Sequence, residues 1–305
     1  MQTSTPTSGG MPTRLAGPLR RLADGLGVAI TATYRVPWGD DDSTVRVSLA
    51  DGRVLAARWF DGPDGRRTAT AVVARADRFV EAEIPVPEPV EMRPIPPTGA
   101  WVVSPWLDGS PGAHRLADPR ASAALAASMG SLSRRIARVD PSGLALDSTW
   151  ADQERLTAAV SGWVEQAEPW VESIAGPDVA AIGRARSAGP DEPWRTAICH
   201  GDFVPVNVVV RPDGDLVVVD LVDVQLGPRI FDLAWWGWVV RFHHPAAWAD
   251  AWPALLAGAG IERDRRIDDA SAAIGRLRVI ERAATAGTDE GRERWLERLR
   301  ATAGW

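Results

Sequence analysis

A chain of 305 residues is long enough to build a sizeable core, as one large domain or as two lobes. Its 45% apolar and 24% charged residues are those of a soluble globular protein, and a net charge of −6 leaves no basic footprint for nucleic acid. One cysteine, Cys199, excludes an internal disulfide framework and suits the cytoplasm, and no apolar run reaches the roughly 18 residues of a membrane helix.

Residues 1–12 show neither the basic nor the apolar region of a signal peptide and are expected to form a disordered tail. Leu15, Leu19, Leu22 and Leu26 then recur at helical spacing. VAITATYRV and TVRVSLADGRVLAARWF alternate, with Asp51-Gly52 as a tight turn, which predicts strand, turn, strand. DGPDG (61–65) reads as a turn, and TATAVVARADRFVEAEI (68–84) as a helix. The prolines of PVPEPVEMRPIPPTG forbid a helix and imply an extended passage. AWVVSPW reads as a strand and LDGSPG as a break. Residues 13–103 therefore predict an antiparallel sheet with one helix.

After Gly109 the pattern becomes Ala- and Leu-rich. Asp118 is expected to cap a helix whose first residue is Pro119. Further helices are expected around 150–187, 232–257 and 268–302, with only the region 206–220 interrupting them as β structure. This is an α+β chain: a small N-terminal lobe, 13–103, and a larger, mostly helical lobe, 104–305.

The chemistry concentrates in ICHGDFVPVNVVVRPDGDLVVVD, residues 198–220. Two β-branched runs flank RPDGD, whose Pro212 and Gly214 supply turn chemistry, so the segment reads as a β-hairpin. Folded about 213–214, it sets Asn207 opposite Asp220, with cross-strand neighbours roughly 5 Å apart. An amide oxygen and a carboxylate at that distance can share a hard cation such as Mg²⁺. Asp202 lies in the loop leading into the first strand, and Pro205 keeps that loop from being helical. A carboxylate base beside two oxygen ligands is what phosphoryl transfer to a hydroxyl requires.

HGDFVPVN followed by VVVDLVDVQLGPRIFDLAWW resembles the aminoglycoside phosphotransferase family, which also includes choline kinase-like enzymes and is distantly related to the protein kinases. The resemblance implies a bilobal protein-kinase-like fold and an ATP- and Mg²⁺-dependent enzyme that phosphorylates a hydroxyl of a small molecule. The acceptor would be an aminoglycoside or other antibiotic, a sugar or an amino alcohol. It implies Asp202 as catalytic base, Asn207 and Asp220 as Mg²⁺ ligands, and His200 and Asp232 as supports of the catalytic loop. Asp232 is also a candidate N-cap for the helix it opens. AWVVSPWLDG looks like the family's hinge, where backbone groups around Val103 and Trp106 would meet adenine.

Three departures accompany the resemblance. The chain has no lysine, so Arg58 in RVLAARWF stands where the family places a phosphate-binding Lys. The following helix has no Glu at the expected place to pair with it. The phosphate-covering loop, VPWGDDDSTV, has one glycine and three successive aspartates, leaving Ser43 and nearby amides as phosphate contacts. These departures favour, as an alternative, a catalytically impaired nucleotide-binding pseudokinase. A metal-dependent hydrolase using His200, Asp202, Asp220 and a later histidine is a second rival. A polycationic acceptor would need unpaired acids, for which Asp152, Glu154, Glu165, Glu168, Glu172, Asp268, Asp269 and Glu281 are the candidates. His243-His244 reads as a helix end before Pro245, Cys199 as a core thiol, and Trp235, Trp236, Trp238, Trp248 and Trp252 as core residues.

Overall fold

The computed structural model describes residues 13–36, 43–96, 98–188 and 192–305; the tail and most of VPWGDDD lie outside these. In chain order the elements are α1 (Ala16–Leu26), β1 (Ile30–Arg35), β2 (Thr44–Leu49), β3 (Val54–Asp61), α2 (Gly62–Glu81), β4 (Glu91–Ile95), β5 (Gly99–Pro105) and β6 (Ser110–Pro111). There follow α3 (Pro119–Ile136), α4 (Gln153–Gln166), α5 (Glu172–Ser187), β7 (Thr196–Cys199), β8 (Val208–Val210), β9 (Leu216–Val218) and β10 (Gln225–Pro228). The chain closes with α6 (Phe231–His243), α7 (Pro245–Ala259), α8 (Arg265–Ala284) and α9 (Asp289–Thr302). Two compact units result: residues up to Ser110 with Val209–Val222, and Pro111–Val208 with Asp223–Trp305.

The first unit is built on a five-stranded antiparallel sheet of order β1-β2-β3-β5-β4. Leu15, just before α1, and Leu19 and Leu22 on it pack on Val45, Val47, Ala57, Trp59, Trp101 and Val103. The Trp101 indole N–H donates to Pro18 O at 3.1 Å, satisfying the one polar atom of a fully buried side chain. Strand alternation turns Arg58 and Val102 to the opposite face, and α2 packs against β3 and β5. The expected turn at DGPDG is instead the first turn of α2. Gly62 enters at φ 67°, and Pro63 occupies one of the first helical positions, where its missing N–H costs nothing. The helix expected over 68–84 therefore begins six residues earlier, at Gly62. The predicted hairpin is present as β8 and β9, closed by the Arg211 amide donating to Asp215 O at 2.9 Å and by Gly214 at φ 94°.

The second unit is helical, with the predicted cap in place: Asp118 Oδ1 accepts from the Arg120 amide at 2.8 Å, and Pro119 opens α3. Its α3 and α7 meet backbone to backbone. A Cβ on Gly130 would lie 2.0 Å from Leu255 O, and one on Gly258 2.1 Å from Ala127 O, so glycine permits the approach. One pair of strands was not expected. β7 and β10 run antiparallel, Cys199 opposite Gln225 and Thr196 opposite Pro228. Four residues each, with Gly227-Pro228 reading as a turn signal, they are too short to show a period. No helix among the described residues is long and apolar enough to cross a membrane.

Candidate active site

In the second unit Asp202 sits in the loop after β7, its side chain about a quarter exposed (27%), so it can be reached from outside. Both carboxylate oxygens are engaged. Oδ1 accepts from the Trp235 indole N–H at 2.8 Å, with Arg282 Nη2 at 3.4 Å. Oδ2 accepts from Asn207 Nδ2 at 2.9 Å, and the same amide nitrogen donates to Asp202 O at 2.9 Å. Asp202 and Asn207 are thus brought together, with the amide nitrogen of Asn207 turned to Asp202.

The loop itself is fixed by its backbone. The amides of His200 and Gly201 donate to the two carboxylate oxygens of Asp232 at 2.7 and 3.0 Å. Asp232 does not cap α6, contrary to the expectation. The helix begins one residue earlier, at Phe231, and the carboxylate reaches back to the loop. Burial pushes the Asp232 carboxyl up, opposed by His200 and the two amide hydrogen bonds. His200 is fully buried and accepts from the Asp202 amide at 3.3 Å through Nδ1. Gly201 adopts φ 83°, and a Cβ there would lie 1.9 Å from Asp223 O.

Sequence reasoning missed the charged layer behind this loop. Arg278 donates to Gly201 O at 3.0 Å and pairs with Asp223 at 3.2 Å, while Arg282 pairs with Asp223 at 2.6 Å. The i, i+4 spacing of these two arginines places them on one face of α8, and that was the available signal. Burial alone would raise the Asp223 carboxyl, but Arg282 and Arg278 outweigh it and hold the group below its ordinary value. A lowered native value stabilises the fold above the ordinary carboxylate range, and that contribution is lost as pH falls through the native value. Asp232 acts in the opposite sense: its ionisation costs stability, and the cost disappears as pH falls through its raised native value. Asp223→Asn is therefore expected to flatten the acid limb of stability. In urea unfolding, its deficit against the parent should grow between about pH 3 and pH 5 and then stay constant; a deficit independent of pH would remove Asp223 as the titrating group.

In the first unit Arg58 Nη1 is bonded to Asp220 Oδ1. The arginine expected to stand in for the family's lysine pairs with an acid on the segment after β9. At the corresponding stretch α2 offers Arg75, buried, which donates to Leu221 O at 3.0 Å and to Val222 O. Asp220 has φ 64°, an uncommon value for a non-glycine residue. Two arginines therefore grip residues 220–222. Ser43 is buried, and its carbonyl accepts the Trp59 amide at 2.9 Å. Val103 lies in the α1 core, and the Trp106 amide is taken by Val54 O at 2.9 Å. The β4 register ends at Glu91 opposite Val103, whereas β3 continues to Leu55 opposite Pro105, so Ser104 and Pro105 have a paired strand on one side only. The polar backbone available to a ligand lies there.

The remaining residues behave as core or surface. Cys199 is buried, and burial, with the Asp232 charge, pushes its thiol well up, which leaves it unreactive. Trp235, Trp236, Trp238 and Trp252 are buried, while Trp248 is half-buried. α6 ends at His243, with His244 as its C-cap before Pro245. Among the described residues no group of three or more His, Cys, Asp and Glu side chains could hold a metal ion by itself.

The model of the phosphotransferase enzyme family matches residues 34–267. The chain belongs to that family. Among solved structures the chain is similar to an aminoglycoside 3'-phosphotransferase of type VIII, 21% identical, covering 88% of this chain and 100% of its own with a TM-score of 0.59. The aminoglycoside 2'-phosphotransferase-IIIa, solved with GDP, is 12% identical, covers 96% and 99%, and has a TM-score of 0.72. A choline kinase from Streptococcus pneumoniae, 11% identical, covers 95% and 100% with a TM-score of 0.65. Likeness at this level establishes the fold, which is protein-kinase-like: an antiparallel N-terminal lobe and a larger helical C-terminal lobe. No curated protein matches the chain. As a phosphotransferase of this family the chain is an enzyme, a small-molecule kinase.

Proposed function

We propose that the enzyme transfers the γ-phosphoryl group of ATP to a hydroxyl of a neutral or singly charged small molecule, with Asp202 as the general base. The observation that carries this reading is the way Asp202 is held. Trp235 and Asn207 fix its two oxygens in place, yet the side chain remains partly exposed. A carboxylate so oriented accepts the proton of an incoming hydroxyl without having to reorganise.

Residues 13–103 would form the nucleotide-binding lobe and 104–305 the catalytic and acceptor-binding lobe. Arg58 and Ser43 would hold the phosphates, and the backbone of Val103–Trp106 the adenine. Asn207 and Asp220 would hold Mg²⁺. The donor set fits a hard cation. Asn207 gives its amide nitrogen to Asp202, which leaves the amide oxygen as the ligand end, and Asp220 contributes a carboxylate. ATP with Mg²⁺ supplies the transferable group and neutralises its charge.

The acids favour an uncharged or weakly charged acceptor. Asp152 pairs with Arg155, Glu168 with Arg300, Asp268 with Arg263, Asp269 with Arg265 and Glu281 with Arg278. Glu154, Glu165 and Glu172 are exposed. A polycation would have to displace arginines from their partners, and the layer behind Asp202 is itself rich in arginine.

Nucleoside diphosphate release from ATP and from GTP, measured over a panel of hydroxylated compounds with mass spectrometry of the product, tests the reading. Turnover should follow neutral hydroxyl compounds, with a mass gain of one phosphoryl group. Faster turnover of aminoglycosides would overturn the acceptor class, and nucleotide binding without turnover of any panel member would favour the impaired alternative.

A further inference from the structure

Within the helical unit, α6, α7 and α8 enclose a half-open cavity of about 60 Å³. Its apolar wall is Ala234, Gly237, Trp238, Trp252 and Ala272. Two polar groups in its lining have no hydrogen-bond partner among the described residues. Ser271 is 6% exposed, and its Oγ is buried without a hydrogen-bond partner. A helical serine ordinarily bonds the carbonyl one turn back or points to water, so a buried free hydroxyl marks a place where something else can bond.

Arg241 is the second. Its guanidinium lies 4.4 Å from the Trp305 ring centroid and 5.0 Å from that of Trp248. Ring contacts of this kind use the faces of the guanidinium and leave its in-plane N–H groups for acceptors. Among the described residues no carboxylate pairs with it. The other charges of the cavity are already matched: Arg276 is bidentate on Asp178, with its Nε bond at 2.9 Å. Asp268 takes Arg263 Nε on both oxygens at 3.0 Å and the Trp252 indole at 2.8 Å. Among the side chains one positive charge is left over; Arg276 also donates to Trp305 O at 2.8 Å. Burial, and the neighbouring Arg276 charge, push the Arg241 guanidinium below its ordinary value, with Asp268 opposing, so an anion beside it would be welcome.

We propose that this cavity binds the carboxylate head of a small organic acid, paired with Arg241 and accepting a hydrogen bond from Ser271. A planar, two-oxygen anion matches the edge of a guanidinium held between two rings. A tetrahedral dianion would bring a second negative charge against Asp268. The size agrees: an apolar cavity of about 150 Å³ takes benzene, so this one seats the three heavy atoms of a carboxylate, and the rest of the acid leaves through the open side. The site is separate from Asp202. Trp235 on α6 serves the catalytic carboxylate, whereas Ala234, Gly237 and Arg241 serve the cavity.

Calorimetric titration of the full chain with butyrate, and with butyramide as its neutral isostere, tests the proposal in a buffer free of carboxylates. Butyrate should bind once per chain and butyramide at least about tenfold more weakly, the loss expected for removing a charge-assisted bond. Arg241→Gln should weaken butyrate by a similar factor. Ser271→Ala should weaken it several-fold while its thermal midpoint stays level or rises, because the hydroxyl it removes has no partner in the free chain. Equal binding of acid and amide, no butyrate binding at millimolar concentration, or unchanged affinity in Ser271→Ala would overturn the site. Tighter binding of inorganic phosphate than of butyrate would overturn the carboxylate assignment. None of these outcomes bears on the role of Asp202, whose test is turnover.

Discussion

Asp202→Ala is expected to reduce kcat by about 10²–10⁴-fold, the range for a lost general base, while the chain stays folded and still binds nucleotide. Three details make alanine an informative choice. Asn207 Nδ2 keeps its second bond, to the main-chain oxygen of residue 202, so the amide stays anchored. Arg282 keeps Asp223, its nearer partner. The Trp235 indole N–H lies beside a partly exposed site and can turn to water. The stability cost should then be no more than about 1 kcal/mol, the net worth of a typical hydrogen bond. Asparagine would be a poorer test, since its amide nitrogen would meet a donor on either side, Asn207 Nδ2 or the Trp235 indole N–H. Activity within tenfold of the parent, measured as nucleoside diphosphate release with saturating acceptor, would remove Asp202 from the role of base.

The hairpin and the capped start of α3 are legible because each rests on residues close in sequence, whereas the loop expected to be non-helical closes with a 3-10 turn over Pro205–Asn207, which Pro205 opens. Asp118 and Pro119 specify a helix start by themselves, and Asp213-Gly214 specifies a turn by itself. The start of α2 carries its signal too: Asp61 followed by Gly62-Pro63 is a helix entrance as well as a turn. What stayed hidden depends on partners far along the chain. Asp232 looks like an N-cap from its neighbours, and only the fold brings its carboxylate to the amides of His200 and Gly201. β7 and β10 are four residues each and exist only as a pair. Asp223 between Arg278 and Arg282 joins residues more than fifty positions apart.

The absence of lysine has a structural consequence as well. The one glutamate of α2, Glu81, is its last residue and pairs with Arg78 at 3.1 Å, so a cation on β3 must find another acid, and Arg58 reaches Asp220. Its longer, forked head makes that span possible where a lysine would present a single point charge. Arg75, standing on α2, meanwhile bonds main-chain oxygens of the next two residues. The segment after β9 is therefore held from two directions by arginine, and this offsets the unusual backbone conformation of Asp220.

Gly201→Ala should be the most damaging single substitution in the catalytic loop. Two independent costs fall on it. At φ 83° any side chain is strained, which alone costs of order 1 kcal/mol. The added Cβ would also stand 1.9 Å from Asp223 O, a backbone atom that cannot swing away as a flexible side chain could. Relief requires the loop or the segment at Asp223 to move, and overpacking of this kind costs typically 1–3 kcal/mol. The summed loss is then about 3 kcal/mol in urea unfolding. Activity should fall further than stability explains. Gly201 donates to Asp232 and accepts from Arg278, and Asp202 is the next residue, so any shift carries the carboxylate away from Trp235 and Asn207. A displacement of about 1 Å at such a group can cost 10²-fold in rate. Assayed well below its unfolding midpoint, the variant should therefore show a lowered kcat with nucleotide binding retained. A fully active variant of reduced stability would mean that the loop can move without moving Asp202, and that the network of Asp232 and Arg278 serves the fold alone.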